Sequence, residues 1–382
     1  MDEMSSVYRE LQQHIDERMP INYPATESGV EIRLLKYLFT PEEAKLVLKL
    51  SASPESLKRI HKRVKKDGML IEELEEKLDI LVEKGSIVGG KLIARKKGEK
   101  KYSLAPFAIG MFEFQLDKLN KEFMEDTQEY FEEIYYKVFH KTDTPCQMRT
   151  IPIEKSITLE HYVSTYDNIK YIIKNSEGPI SLMNCICKQG MDVLGKSCKL
   201  TDIRKTCITL GKFAEFFVDR GLGHEIDKGE LFKLLQQFED IGLILQTENT
   251  QSPGFICACC GDCCEVLQGV KRFPRPTELY SSNYFAIVNQ EECEGCETCI
   301  DRCQMQARYI VDAVSIVNLD RCIGCGNCVP TCPSNAIQLK KKEKEKVPPK
   351  DTDALFQKIM LRKKGLWGSL KLIGKKILGM QI

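Results

Sequence analysis

The sequence lacks most of the features that would place it quickly. No apolar run approaches the ~18 residues that a membrane-spanning helix needs. The opening stretch, MDEMSSVYRELQQHIDERMP, is charged throughout and has no apolar signal core, so secretion is not expected. Neither sign of charge dominates: 56 basic and 55 acidic side chains leave a net charge of +1. Attraction to nucleic acid or to a membrane surface must therefore come from local patches. There is no G-x-G-x-x-G after a strand, no P-loop and no H-E-x-x-H, and nothing recognisable for flavin or nicotinamide. The absence of a C-x3-C-x2-C triplet argues against radical S-adenosylmethionine chemistry. His161 and His224 stand isolated and read as surface or internally satisfied histidines rather than ligands.

Cysteine is what the sequence has in excess. Eighteen occur in 382 residues, all between Cys146 and Cys332. A chain of this length, 42% hydrophobic, has material for two or three cored domains. Secreted disulfide scaffolds are usually short and evenly bridged. Tight cysteine clusters in an unsecreted chain indicate metal in a reducing compartment, and an anaerobic host if the metal is iron.

The strongest signal is an internal repeat. Cys293-x2-Cys296-x2-Cys299-x3-Cys303 recurs as Cys322-x2-Cys325-x2-Cys328-x3-Cys332, and Ala286-Ile-Val-Asn289 before the first quartet aligns with Ser315-Ile-Val-Asn318 before the second. This is the bacterial two-cluster ferredoxin pattern. Three closely spaced thiolates wrap one corner of an iron–sulfur cube and leave the fourth iron to a distant cysteine. By that crossover, Cys293, Cys296, Cys299 and Cys332 hold one [4Fe–4S] cluster, and Cys303, Cys322, Cys325 and Cys328 hold the other. Gly295, Gly324 and Gly326 keep the loops free of side chains, so that backbone N–H groups can approach sulfur. Zinc, which usually takes two C-x2-C pairs, fits this double quartet poorly. Gln304 stands where the pattern usually has proline after the fourth cysteine. All eight positions are cysteine, which points to electron transfer rather than substrate chemistry.

Nine further cysteines form a second constellation: Cys185, Cys187, Cys198 and Cys207, then Cys257, Cys259, Cys260, Cys263 and Cys264 in the run CACCGDCC. One or two additional [4Fe–4S] clusters are expected here, ahead of structural zinc and of idle buried thiols. The favoured split is one site combining the first group with part of the second, and spacing alone assigns no individual ligand. Cys146 stands apart and reads as a packed thiol.

The expected fold class is α+β and multidomain. Residues 1–105 read as a winged-helix-like domain, with helices and a hairpin around the glycines of SIVGGKLIARKKGEKKYSLAPF. Residues 106–145 read as a long connecting helix, whose stripe of Phe114, Phe123, Tyr130, Phe131 and Tyr135 suits core or a dimer seam. Residues 146–283 read as a mainly helical cysteine-rich domain, with helices expected over 161–175, 182–194, 201–220 and 228–241. Residues 284–340 form the two-cluster module. A charged linker and a basic amphipathic helix complete the chain over 341–382. That helix places Ile359, Leu366, Leu370, Ile373, Ile377 and Met380 on one face, opposite Lys364, Lys371 and Lys375, with Trp367 at the boundary. Docking on its own domains, on a partner protein or on a membrane surface all suit this pattern.

From Thr26-Glu27-Ser28-Gly29-Val30 through Leu104-Ala105-Pro106-Phe107, the cysteine-rich middle, CACCGDCC and the double quartet, the chain resembles large multidomain [4Fe–4S] dicluster ferredoxin-type proteins of anaerobic bacteria and archaea. The resemblance implies the cofactor and assigns no reaction. Cys259-Cys260-Gly261 is also similar to the CCG motif of heterodisulfide-reductase-type subunits, without that family's duplicated long-spaced pattern. The expectation is a cytoplasmic protein, with peripheral membrane contact through the tail left open, that relays single electrons between redox protein partners. Two alternatives are an iron–sulfur subunit of an oxidoreductase complex with a substrate-binding cluster, and a redox-sensing DNA-binding regulator. The expected wing is basic (Lys91, Arg95, Lys96, Lys97, Lys100, Lys101). The expected recognition helix, LIEELEEKLDILVEKG, is acidic and would be repelled by phosphate, which argues against DNA and for docking or dimerisation.

Overall fold

The computed structural model describes residues 3–90, 100–140, 145–157, 163–377 and 381. Lys91, Arg95, Lys96 and Lys97 of the expected wing, His161, Met380, and the side chains of Leu366, Ile373, Lys375 and Ile377 lie outside the described residues. The chain divides into two compact units, residues 1–139 with 356–382, and residues 140–355.

The first unit starts with helices α1 (Glu3–Arg18), α2 (Val30–Leu38) and α3 (Pro41–Val47). A reciprocal cap starts α3: the Glu43 amide donates to Thr40 Oγ1 at 3.2 Å, the Thr40 amide to Glu43 Oε2 at 2.7 Å, and Pro41 occupies the first turn. Strand β1 (Glu55–Ser56) leads into α4 (Leu57–Val64), and α5 (Ile71–Lys84) ends at Gly85. Strands β2 (Val88–Gly90) and β3 (Lys101–Ser103) complete an antiparallel sheet in the order β1-β3-β2.

The single helix expected over 106–145 is corrected. Ala108 is extended (φ −130°, ψ 142°), and helix α6 (Lys121–Tyr130) begins only after Asn120, whose side chain accepts from the Phe123 amide at 2.8 Å. A wider turn over Phe131–Tyr135 carries α6 into α7 (Tyr136–Phe139). The aromatic spacing that suggested one helix serves packing instead. Phe107 folds back edge-on to Tyr130 at 5.5 Å, and Phe112 lies edge-on to Phe131 at 5.7 Å, in a cluster buried inside this unit.

The second unit is built on a six-stranded antiparallel sheet: β4 (Met148–Thr150), β5 (Ile180–Asn184), β6 (Lys205–Leu210), β7 (Gly223–Ile226), β8 (Ile244–Glu248) and β9 (Phe255–Cys259), in the order β4-β8-β9-β6-β5-β7. The middle of the chain is therefore not mainly helical. Helices α8 (Ile169–Asn175), α9 (Ile186–Val193), α10 (Lys212–Asp219) and α11 (Lys228–Ile241) are present, but the stretches read as helices over 182–194 and 201–220 each begin as a strand, β5 before α9 and β6 before α10. The β-branched Thr206, Ile208 and Thr209 favour the pleated surface. Gly211, at φ 56°, supplies the backbone turn at which β6 gives way to α10. One face of the sheet carries the core, where Leu182, Ile208, Leu210, Leu245, Ile256 and Ala258 meet Leu231, Leu235 and Phe238 of α11.

The same unit contains the double quartet. After α12 (Glu265–Lys271) and α13 (Pro276–Leu279), strand β10 (Tyr284–Val288) pairs antiparallel with β13 (Ile337–Lys341). Between them lie a short helix, α14 (Thr298–Asp301), and the hairpin of β11 (Arg308–Val311) and β12 (Val314–Val317). A fully buried ion pair joins Arg149 on β4 to Asp167, and Asn283, just before β10, donates to Asp167 Oδ2 at 2.8 Å. Burial pushes the Asp167 carboxyl above its usual range against the pull of Arg149.

Helix α15 (Thr352–Ile377) is broken at Gly365 (φ 66°, ψ 178°), so one continuous amphipathic face does not form. Leu355 and Ile359 are buried, while Trp367 is 84% exposed. In the first unit, Lys363 Nζ donates to the Met19 carbonyl at 2.7 Å and the Gln381 amide to Leu48 and Leu50 carbonyls at 2.8 Å. Among the described residues no helix is long and apolar enough to cross a membrane.

Candidate metal centres

The double quartet folds as two crossed groups. Cys293 and Cys296, on the loop entering α14, and Cys299, in α14 itself, line one pocket together with Cys332, which arrives from the second quartet. Ser315 N donates to Cys293 Sγ at 3.3 Å, Cys299 is buried, and Cys296 is exposed. Cys303 is exchanged in the other direction. Burial and the neighbouring charges of Cys328, Cys303 and Cys322 push the Cys325 thiol far up. Burial pushes Cys328 up to about 11, against the pull of Arg308, whose Nη2 donates to Cys328 Sγ at 3.1 Å. Ala307 N donates to Cys303 Sγ at 3.3 Å and Ala286 N to Cys322 Sγ at 3.4 Å.

These residues fit an iron–sulfur cluster. The donors are thiols, converging backbone amides and a buried guanidinium offset the negative charge a cluster brings, and the loops leave no room for side chains. At Gly324 (φ 65°) an added Cβ would run into the Tyr284 carbonyl, and at Gly295 (φ 64°) into the Ala313 carbonyl.

The nine other cysteines are divided by the sheet. On β9, alternation puts Cys257 and Cys259 on one face and Ala258, in the apolar core, on the other. Cys207 on β6 is the direct cross-strand partner of Cys257. Cys185 and Cys187 enter this group at the start of α9, after a register shift at the end of β5, and Cys264 joins it from the start of α12. Around this group each thiol interacts with two others, in the order Cys185, Cys187, Cys264, Cys259, Cys257, Cys207 and back to Cys185. Interaction with their two thiol neighbours lowers Cys185 and Cys264 well below the usual thiol range and Cys257 to about 6, while Cys187, Cys207 and Cys259 are raised. Gln246 Nε2 donates to Cys264 Sγ at 3.6 Å, and the buried Tyr280 hydroxyl holds Gln246. Six soft donors spread around one face suit an iron–sulfur cluster, whose thiolates sit on separate corners, and exceed the four that a single cube takes.

Cys198, Cys260 and Cys263 belong to the opposite, core-facing side, where Asp262 joins them. Cys146 joins neither group; burial raises its thiol, and its Sγ lies 4.0 Å from the Glu278 carbonyl. His224 is exposed on β7.

Sequence reasoning missed Arg308, Lys188, Gln246 and Tyr280, which carry no motif, and Asp262, whose position inside Cys260-x2-Cys263 was a usable signal. It flagged Gln304 without a role. The Gln304 side chain accepts from the Gly261 amide and donates to the Gly242 carbonyl, tying the Cys303 loop to the CACCGDCC turn. Proline could make neither bond.

Residues 315–338, which contain Cys322, Cys325, Cys328 and Cys332, match the family model described as the 4Fe-4S binding domain. No curated protein and no solved structure matches the chain. The chain is thus an iron–sulfur protein with at least one [4Fe–4S] site.

Proposed function

We propose that this iron–sulfur protein relays single electrons between redox partner proteins, through two [4Fe–4S] clusters in residues 284–340 and a further iron–sulfur centre on the six-thiol face of the sheet. The observation that carries the reading is the exchange of Cys303 and Cys332 between the quartets, which supplies each group with four thiols. A bound cube accepts and returns one electron at a time.

The residues around the thiols set the direction of traffic. The group with the exposed Cys296 is ringed by exposed Glu291, Glu292, Glu294 and Glu297, and so suits a basic partner. The Cys303 group has no exposed thiol: Cys303, Cys322, Cys325 and Cys328 are all half-buried. Gln304 connects that loop to Gly261 in the CACCGDCC turn, between Cys260 on one face of the sheet and Cys264 of the six-thiol group. The amide and Arg308 contacts to sulfur favour the more negative, reduced state and so raise the potential.

The arrangement of the first unit, helices beside a small antiparallel sheet, supports a winged-helix-like domain used for protein docking. Among the described residues, Arg59 and Arg63 both pair with Glu55, and Lys100 pairs with Glu75 and Asp79, so these three cations are engaged within the unit rather than offered to phosphate. A cytoplasmic location in an anaerobic host fits so many free thiols.

Iron and acid-labile sulfide per chain, measured on anaerobically purified protein, test the proposal. Full loading by three cubes would give about 12 of each. About 8 would remove the sheet centre, and markedly fewer than 8 after reconstitution would overturn the relay itself.

A further inference from the structure

The three cysteines left over from the six-thiol ring stand together on the other face of β9. Cys198 Sγ lies 3.4 Å from Cys260 Sγ, and the ligating atoms of Cys198, Cys260, Asp262 and Cys263 all fall within 4.8 Å of one another. We propose that these four residues bind one zinc ion, separate from the iron–sulfur centres.

Spacing decides between a single ion and a cube. Four ligands at ~2.3 Å from one tetrahedral zinc stand about 3.8 Å apart, which is the scale of this group. The thiolates of a cube sit on separate corners, with iron and sulfide between them, and stand farther apart. The donor set agrees: three thiols and one carboxylate complete a tetrahedron for a borderline-soft ion. Cys260-Gly-Asp-Cys263 supplies three ligands from one turn. Cys198 arrives from the loop after α9, which the Lys199 amide fastens by donating to Asp262 Oδ2 at 2.7 Å. Gly261 must remain bare, because a Cβ there would meet the Gln304 carbonyl oxygen at 2.6 Å.

Charge also balances. Three thiolates, a carboxylate and a divalent ion sum to two negative charges. Two lysines lie close by: Lys188, 1% exposed, acts on Cys260, and Lys271 donates to the Gly261 carbonyl beside Asp262. The surroundings are dry, since Cys260 and Cys263 are each 1% exposed and pack in the main core. Bound there, the ion would staple the loop after α9 to the turn after β9. The proposal is independent of the relay, because it uses none of the fifteen other cysteines.

The test is metal content and zinc-edge X-ray absorption on the full-length, anaerobically purified chain. About one zinc per chain is expected, with a shell of three sulfurs at ~2.3 Å and one lighter atom. Cys198→Ser should lose the zinc and keep its iron and sulfide, while Cys259→Ser should keep the zinc. If Cys198→Ser fails to fold, Asp262→Asn and the wild-type absorption shell still decide the matter. Absence of zinc in the wild type, a zinc shell without sulfur, or joint loss of iron and sulfide in Cys198→Ser would overturn the proposal.

Discussion

In residues 284–340 three thiols of each group share one short loop, and only the fourth is borrowed. In the six-stranded sheet the six-thiol ring draws Cys185 and Cys187 from one helix start, Cys207 from β6, Cys257 and Cys259 from β9, and Cys264 from another helix start. The first arrangement depends on turns: glycine backbone and N–H···S bonds shape it locally. The second depends on strand register, because slipping β9 by one residue would turn Cys257 and Cys259 into the apolar core and bring Ala258 to the ring. A group of thiols can therefore be gathered by spacing alone or assembled by a sheet, and one compact unit does both.

The sharpest way to break this comparison is to remove one ligand from each kind of site. Cys332→Ser should lose about four irons, one cube, because the exchange leaves its group with three thiols. Cys207→Ser should leave the other quartets loaded and alter only the signal of the sheet centre. Iron analysis with reduced-state electron paramagnetic resonance reads both. Unchanged iron in Cys332→Ser would mean that Cys332 is not a cluster ligand.

A second substitution attacks the junction of the two regions. Asp167→Ala would leave Arg149 buried without its ion-pair partner and take one of two acceptors from the Asn283 amide, at a cost of about 3–5 kcal/mol. Urea unfolding of the anaerobic protein should register this as a lower midpoint. A change below about 1 kcal/mol would show that the buried pair is replaced without strain by its surroundings.

A smaller effect is expected where one residue of the double quartet reaches the sheet. Gln304→Pro restores the usual residue after the fourth cysteine, yet should destabilise by about 1–2 kcal/mol, because the Gly261 amide and the Gly242 carbonyl lose their partner. A stabilising Gln304→Pro would make this contact incidental.

The second quartet, which lies in the matched 4Fe-4S binding domain, was legible because its chemistry is a matter of spacing: Cys-x2-Cys-x2-Cys brings three thiols onto one short loop. Helix α11 was legible too, through its apolar period and the Asp227 cap, whose Oδ1 accepts from the Glu230 amide at 2.8 Å. The strands β5 and β6 were not, because ISLMN and KTCITL run straight into helices and their apolar residues merge with the helical pattern that follows. Residues 106–120 were misread for a related reason: Phe107 and Phe112 belong to the same aromatic core as α6 without belonging to its helix.

By itself the sequence determined that the chain carries many thiols, that eight of them stand in two matching quartets, and that no catalytic signature accompanies them. Local spacing is enough for those conclusions, since a short loop samples few shapes. Only the tertiary structure decided how the other ten divide: six on one sheet face, three beside Asp262 on the other, and Cys146 apart from both quartets and both groups. That division rests on strand register and alternation, which place residues far apart in the chain on a common face, and no count along the sequence contains that information.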